Sequence, residues 1–480
     1  MKNKFLRLVC ALTAAALLSS CGVITVNTPS APAETEGDTE ETKPSYEVSE
    51  YEKWSENYGK ETKAFMRDLV KADYNGAVFQ IATPKAGCVV PDESIGAVIS
   101  ASYVERNAAI EDYFNISITE KAVNIDTMYE EAVAAVKSGE YYADLIMLPQ
   151  SYICSFATRG ILLNLNTLPN FNSEGGYYSA SGVQSGGGFG KLYAVSGPAS
   201  LTSGTASVVY FNRDLVDAAG LESLYDLVDG GEWTWDKFKE CGAAASGLGV
   251  YSFGTQNNQI NFPDTVYFSC GGRFVMSEAG GAPTVCMDAD FGNTVTALCA
   301  SLLADPLYYS DSMSAIEAFS TGKMMFLVDS ADTAKTLANS EANWGVLPLP
   351  KYNAEQENYY SLASDTNSLF FACLPTVTDV ARVSNVLAML NIASYGEQSD
   401  ALALDAMSYY LRDNDSGRML DKALDGVVYD FAYSFSPYHQ AVSSISYVAL
   451  RNPTAGMSTV TGYLNTWTGA FNTAVYRLFN

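Results

Sequence analysis

The chain has 480 residues, 48% of them hydrophobic and 12% aromatic, so it is long and apolar enough to bury two or three domain-sized cores. Its 54 acidic residues outnumber 28 basic ones, and the formal net charge of −26 excludes nucleic acid and anionic lipid surfaces as partners. One histidine, His439, and nine cysteines with no CxxC spacing exclude His-rich and zinc-type sites, so no metal or cofactor is expected.

Residues 1–20 read as an export signal: Lys2, Lys4 and Arg7 precede the short apolar run "LVCALTAAALL", and Ser19 and Ser20 are small. That run is too short to span a bilayer, which needs about 20 apolar residues. Leu18-Ser19-Ser20-Cys21 resembles the bacterial lipobox. The resemblance implies cleavage before Cys21, acylation of its thiol, and a mature chain anchored on the extracytoplasmic face of the cell membrane. The mature chain keeps 25 Lys and Arg against 54 Asp and Glu, a net charge of −29. Residues 21–50, rich in Thr, Ser, Pro and Glu, bury too little apolar surface to fold and read as a lipidated, flexible acidic tether. Over residues 51–72, Tyr51, Trp54, Tyr58, Phe65, Leu69 and Val70 fall at roughly helical spacing and predict a leading helix that docks on the body.

The body begins with "GAVFQIAT" (76–83), a strand, followed by a turn and a helix from about Ser94 to Tyr113. The order repeats: "ISITEKAV" as strand, "DTMYEEAVAAVKSG" as helix closed by Gly139, "ADLIMLP" (143–149) as strand, and "QSYICSFATRG" as helix closed by Gly160. Alternation of this kind predicts an α/β fold with a parallel sheet covered on both faces. Ligands of such sheets sit beyond the carboxyl ends of the strands, here the loops near Lys85 and at Pro149, Gln150, Ser151 and Tyr152.

Five segments, in order, resemble the bacterial extracellular solute-binding proteins of family 1, the maltose- and oligosaccharide-binding type of ABC importers. They are "ADLIMLPQSYICSFATRGILLNLNTL", "GKLYAVSGPASLTSGTASVVYFNRDLVDAAGL" (190–221), "EWTWDKFKE" (232–240), "AIEAFSTGKMMFLVDSADT" (315–333) and "NWGVLPLPKYNAEQENYYSLASDTNSLFFAC" (343–373). The resemblance spans about residues 73–450. It implies a two-lobed periplasmic-binding-protein-like fold, each lobe a mainly parallel sheet flanked by helices, joined by hinge crossovers that the chain traverses three times. The first lobe is expected to comprise 73–198 and 325–366, the second 199–324 and 367–480. Gly, Ser and Pro at 196–204 suit a hinge that needs unusual dihedrals, an ordinary surface loop being the competing reading. The helical runs "SNVLAMLNIASYGEQSDALALDAMSYYLRDN" and "GYLNTWTGAFNTAVYRLF" are expected to cover the second lobe.

A sugar pocket needs aromatic faces for the ring and short polar groups for hydroxyls, since an unpaired buried hydroxyl costs about 1–3 kcal/mol. The candidates on interlobe loops are Gln150 and Ser151 from the first lobe, Asn257 and Asp264 from the second, and Asp329, Ser330 and Asp332 after the returning strand. Tyr433, Phe435 and Tyr438 of "DFAYSFSPYH" offer stacking faces. For each, an internal structural role is the competing reading, and for Trp233, Trp235 and Trp344 core packing is the expectation. A Cys270–Cys286 bridge is the one pairing considered; otherwise the thiols behave as small buried apolar groups.

Catalytic signatures are missing from the sequence: GxSxG, HExxH and GxxxxGK[ST] do not occur. "GGGFG" (186–190) reads as a flexible loop, and "DNDSG" (413–417) as a helix connection, because Gly417 stands where a calcium loop needs a ligand. The leading expectation is a monomeric binder without enzymatic activity. Anchored through Cys21, it captures a sugar or oligosaccharide by lobe closure and passes it to ABC permease subunits. A surface glycoside hydrolase, whose carboxylate pair only distance reveals, and a non-transporting adhesin or sensor partner on the same fold are the alternatives.

Overall fold

Strand and helix alternate from residue 77 onward in the computed structural model, which describes residues 60–67, 69–92, 97–200, 202–255, 262–277, 281–311, 313–395, 410–435 and 458–479. All of these belong to one unit, Val48–Asn480. The signal, Cys21, the tether, Asn257, Tyr438 and His439 lie outside the described residues.

Among the described residues, nine strands build two main sheets. In chain order they are β1 Ala77–Thr83, β2 Ile116–Ala122, β3 Leu145–Pro149, β4 Ala194–Val195, β5 Ser207–Asn212, β6 Tyr251–Thr255, β7 Met324–Ser330, β8 Trp344–Leu347 and β9 Leu369–Ala372. The first sheet has the order β2-β1-β3-β9-β4 and the second β8-β5-β7-β6. β1 pairs in parallel with β2 and β3, whereas β9 is antiparallel to β3 and β4. In the second sheet β7 is parallel to β6 and antiparallel to β5, and β8 is antiparallel to β5. Both sheets are therefore mixed, where alternation predicted mainly parallel ones. The reason is the route of the chain: β5 and β9 each enter from the other sheet at the edge where their neighbours end, so they run back against them.

Side-chain alternation along each strand makes the cores. Leu145 and Met147 join Phe79, Ile81 and Phe371 on one face of the first sheet, while Ile146 and Leu148 join Ala82, Phe370 and Ala372 on the other. In the second sheet Val209, Phe211, Phe326 and Val328 pack on Trp233, Trp235 and Phe238, and Val208, Tyr210, Leu327 and Trp344 face the opposite layer. The three indoles are fully buried and hydrogen-bonded, Trp233 to Pro348 O, Trp235 to Ser269 Oγ and Trp344 to Leu337 O, each at 2.9 Å. Core packing is thus their use.

Several expectations need correction. Residues 324–347 supply β7 and β8 of the second sheet, and β9 at 369–372 belongs to the first, the reverse of the partition at 325–366 and 367–480. All seven residues of β7 are buried and require a neighbour on each side, which the centre of the second sheet provides. The helix Val380–Ser394 covers the first sheet, with Arg382 paired to the buried Asp144 at 2.8 Å. The helix Ser458–Phe479 does pack in the second core through Val460, Phe471, Val475 and Phe479. "GGGFG" is a packed hairpin rather than a flexible loop: Gly187–Gly188 pairs with Lys191–Leu192 around Phe189 and Gly190, whose φ values of 51° and 75° fit a two-residue turn. "DNDSG" starts a helix, Asn414–Asp425, capped by Asp413, which accepts from the Ser416 amide at 2.7 Å. All seven described cysteines are free, Cys270 and Cys286 included. Of the leading helix, Lys60–Arg67 is described; Phe65 meets Tyr177 and Tyr395 edge-on, and residues 69–72 are not helical.

Candidate solute-binding site

The chain passes between the sheets three times: β4 to β5, β8 to β9, and the Val380–Ser394 helix to the Asn414–Asp425 helix, which packs on β8. The first two crossovers run side by side. Ala206 bridges Ala363, the Ser361 hydroxyl donates to Ser207 O, and Thr205 and Ser368 share a hydroxyl bond of 2.9 Å. β1, β3 and β4 end at Thr83, Pro149 and Val195, and the crossover from β4 enters the second sheet at Ser207, beside the end of β7 at Ser330. The carboxyl ends of both sheets therefore meet at the crossovers, the place where open α/β sheets bind ligands. The glycines there work by close approach and not by unusual dihedrals. Gly197 has no positive φ, but a Cβ on it would lie 2.3 Å from Asn391 Oδ1.

Three of the sequence candidates come together at this junction through one segment, Asp430–Phe435. Gln150, 1% exposed, donates from Nε2 to Asp430 O at 2.8 Å and to Ser434 Oγ at 3.1 Å. Ser434 donates to Ser185 O at 2.7 Å, and the Tyr433 hydroxyl donates to Asp264 Oδ2 at 2.7 Å. The buried Asp430 carboxylate accepts from the amides of Phe274, Val275 and Ala432, at 2.9, 3.2 and 2.8 Å. Burial still pushes its pKa up to about 6 against those bonds. Gln150 thus ties the first sheet to a segment that Asp430 and Tyr433 tie to the second.

The remaining candidates divide. Ser151 is buried and its amide donates to Asp365 O at 3.1 Å. Phe435 packs against Phe431 and Phe471 in the second core, so it presents no open stacking face. Asp329 is buried; its Oδ1 accepts from the Ser330 amide at 2.8 Å, and desolvation lifts its pKa to about 6. Ser330, also buried, accepts through its carbonyl from the Tyr210 hydroxyl at 2.9 Å. Asp332 is partly exposed and pairs with Lys335 at 3.0 Å, and its carboxylate lies 3.0 Å from where a Cβ on Gly204 would sit. Among the described candidates, Asp332 is the polar one that combines exposure with a place at the junction.

Sequence reasoning missed Asp430, Ser434 and Glu120. Glu120 accepts from the amides of Cys88, Val89 and Val90 and from the Thr83 hydroxyl, and so fixes the loop after β1 that carries Lys85. An acid at the head of an aromatic run was the available signal for Asp430; for Glu120, inside a strand, there was none. A cavity of about 470 Å³ lies nearby, lined by residues of 176–184, 197–198, 273–276, 360, 395 and 424–429; none of the described candidates lines it.

The profile of the bacterial extracellular solute-binding proteins matches residues 103–368, more than half of the chain. The chain belongs to that family. Its fold is the two-lobed, periplasmic-binding-protein-like α/β fold, shared with solved structures at low identity. The cyclic α-maltosyl-1,6-maltose binding protein from Arthrobacter globiformis is 13% identical with a TM-score of 0.57, covering 83% of this chain and 99% of that one. The sugar-binding protein MalE from Xanthomonas citri is 12% identical, TM-score 0.56, covering 84% and 98%. The galacto-N-biose/lacto-N-biose I-binding protein of an ABC transporter from Bifidobacterium longum is 12% identical, TM-score 0.55, covering 85% and 98%. No curated protein matches this chain. In this solute-binding protein the two sheets are the lobes and the crossovers are the hinge.

Proposed function

We propose that the protein captures a sugar or oligosaccharide between its lobes, without chemical turnover, and delivers it to the permease of an ABC importer. The single observation that carries this reading is the meeting of both sheets' carboxyl ends at the two crossovers that run side by side, a geometry in which rotation opens or closes one ligand site. The carbohydrates named for the three similar structures support the cargo class. Asp332, with Asn257 and Tyr438, which lie outside the described residues, is assigned to direct contact. Gln150, Ser151, Asp264, Asp329, Ser330, Tyr433 and Phe435 are assigned to shaping and holding the junction.

Acylated Cys21 and the tether of residues 21–50 keep the monomer on the outer face of the membrane and raise its effective concentration at the permease. The test is a thermal-shift screen of the Cys21→Ala chain against mono- and oligosaccharides, polyols and peptides, followed by X-ray scattering with any hit. A raised melting point and a smaller radius, with the glycan recovered intact, are expected. Hydrolysis of the bound glycan would overturn the binder reading in favour of a glycoside hydrolase.

A further inference from the structure

We propose that the cavity beside the hinge is a second small-molecule site, separate from the strand-end junction, which takes a neutral ring-shaped polyhydroxy compound of one or two rings. The cavity, of about 470 Å³, falls within the ~300–1,000 Å³ range of ligand pockets. Its walls come from both lobes and from all three crossovers: Gly197 follows β4, Tyr360 lies between β8 and β9, and Tyr395 follows the Val380–Ser394 helix. Apart from Gly197 and Pro198, which follow β4, none of the residues at the strand ends reaches it.

Two features of its lining point to a ligand. The first is Arg273. Its guanidinium stacks 4.6 Å from the Tyr360 ring and donates from one nitrogen to Gly272 O at 2.6 Å, which leaves further N–H groups for an acceptor in the cavity. The second is charge. Asp430 offsets Arg273 and Asp425 is exposed in the lining, so the lining is close to neutral and favours hydroxyls over an anionic group. Ring faces from the tyrosines and a fork of donors from Arg273 are what a cyclic polyol needs.

The experiment is hydrogen-exchange mass spectrometry on the Cys21→Ala chain with a panel of glucose, galactose, maltose, lactose and myo-inositol at millimolar concentrations. At least one compound is expected to protect the peptides over 176–184, 357–362 and 424–429 together. Gln184→Trp, which places an indole from an exposed lining position into the cavity, is expected to raise the half-saturating concentration at least tenfold. Arg273→Met, which keeps a stem on Tyr360 and removes the donors, is expected to raise it at least threefold. Absence of joint protection with every compound, or protection unchanged in both variants, overturns the proposal. Peptides over 83–90 and 150–152 report the junction separately. If Asp332→Ala removes protection at both places, the two sites are one and the second-site proposal fails, while capture between the lobes stands. Cavity protection that survives Asp332→Ala supports the second site whatever happens at the junction.

Discussion

Asp329 gives the sharpest test of how the end of β7 is built. Its carboxyl is buried, and its one hydrogen bond from the backbone, the Ser330 amide at 2.8 Å, reaches Oδ1. Desolvation outweighs that bond and the Thr333 hydroxyl, so its pKa rises from 3.8 to about 6. The sign follows: a folded-state pKa above the unfolded value means stability that is fully present below pH 3.8 and is lost as pH rises through about 6. A rise of about two pKa units corresponds to about 3 kcal/mol lost between pH 4 and 7. Asp430, also raised to about 6, contributes in the same direction, so the wild-type curve alone does not isolate Asp329. The difference between wild type and Asp329→Asn does, because asparagine keeps the acceptor for Ser330 and carries no charge. Urea unfolding of both chains is followed by the fluorescence of Trp233, Trp235 and Trp344, all buried in the lobe that holds Asp329. The variant should gain about 3 kcal/mol on the wild type from pH 4 to 7, with a plateau on either side. A flat difference curve, whatever its constant offset, would refute the burial account of this carboxyl.

Cys21→Ala should release the protein into the medium or stall its processing, while calorimetry with an identified cargo shows unchanged affinity; a drop in affinity would give the tether a part in binding. Gly197→Ala should lose about 1–3 kcal/mol by overpacking, because the added Cβ lies 2.3 Å from Asn391 Oδ1 and 3.1 Å from Tyr177 O. Asn391→Ala in the same chain should recover part of that loss, and failure to recover any would move the strain from the side chain to the backbone. Gln150→Leu should cost about 0.5–1.5 kcal/mol by removing its bonds to Asp430 O and Ser434 Oγ, each of which keeps one other bond, from the Tyr433 amide and to Ser185 O. The same change should speed hydrogen exchange over 430–435, and unchanged exchange there would mean that Gln150 does not hold the segment.

The α/β alternation was legible because each early strand and helix carries local signals: Asn124 and Gly139 cap the helix between β2 and β3, the latter at a φ of 73°, and the apolar run of β3 is buried throughout. Which sheet a strand joins was not legible. β7 and β9 are both short apolar runs, and nothing in either sequence states whether its partner lies 100 residues back or 200. The swap of 325–366 with the segment that holds β9 is the direct result. The glycines of 186–190 failed for a related reason. Flexibility is their usual meaning, yet a Cβ on Gly186 would stand 1.8 Å from Ala194 O, so here they permit contact.

The candidate site was legible by residue type and opaque by state. Gln150, Asp264 and Tyr433 were chosen as polar or aromatic groups for a sugar, and the fold does bring them to one segment. What sequence does not carry is that each has its partner inside the protein: Gln150 with Asp430 O, 280 positions away, and Tyr433 with Asp264, 169 away. A hydroxyl or amide that is already paired offers a sugar little, since exchanging one hydrogen bond for another gains only about 0.5–1.5 kcal/mol. The contact residues of a binder are therefore those whose bonds stay open to solvent, and along the described edges that criterion selects Asp332 over its buried neighbours Asp329 and Ser330. Asp332→Ala should accordingly weaken cargo binding with a change in unfolding free energy under about 1 kcal/mol, as befits a half-exposed ion pair, whereas Asp329→Asn should change stability first. If calorimetry shows the reverse order, the buried carboxylate is the contact and the lobes must open further than the present junction to expose it.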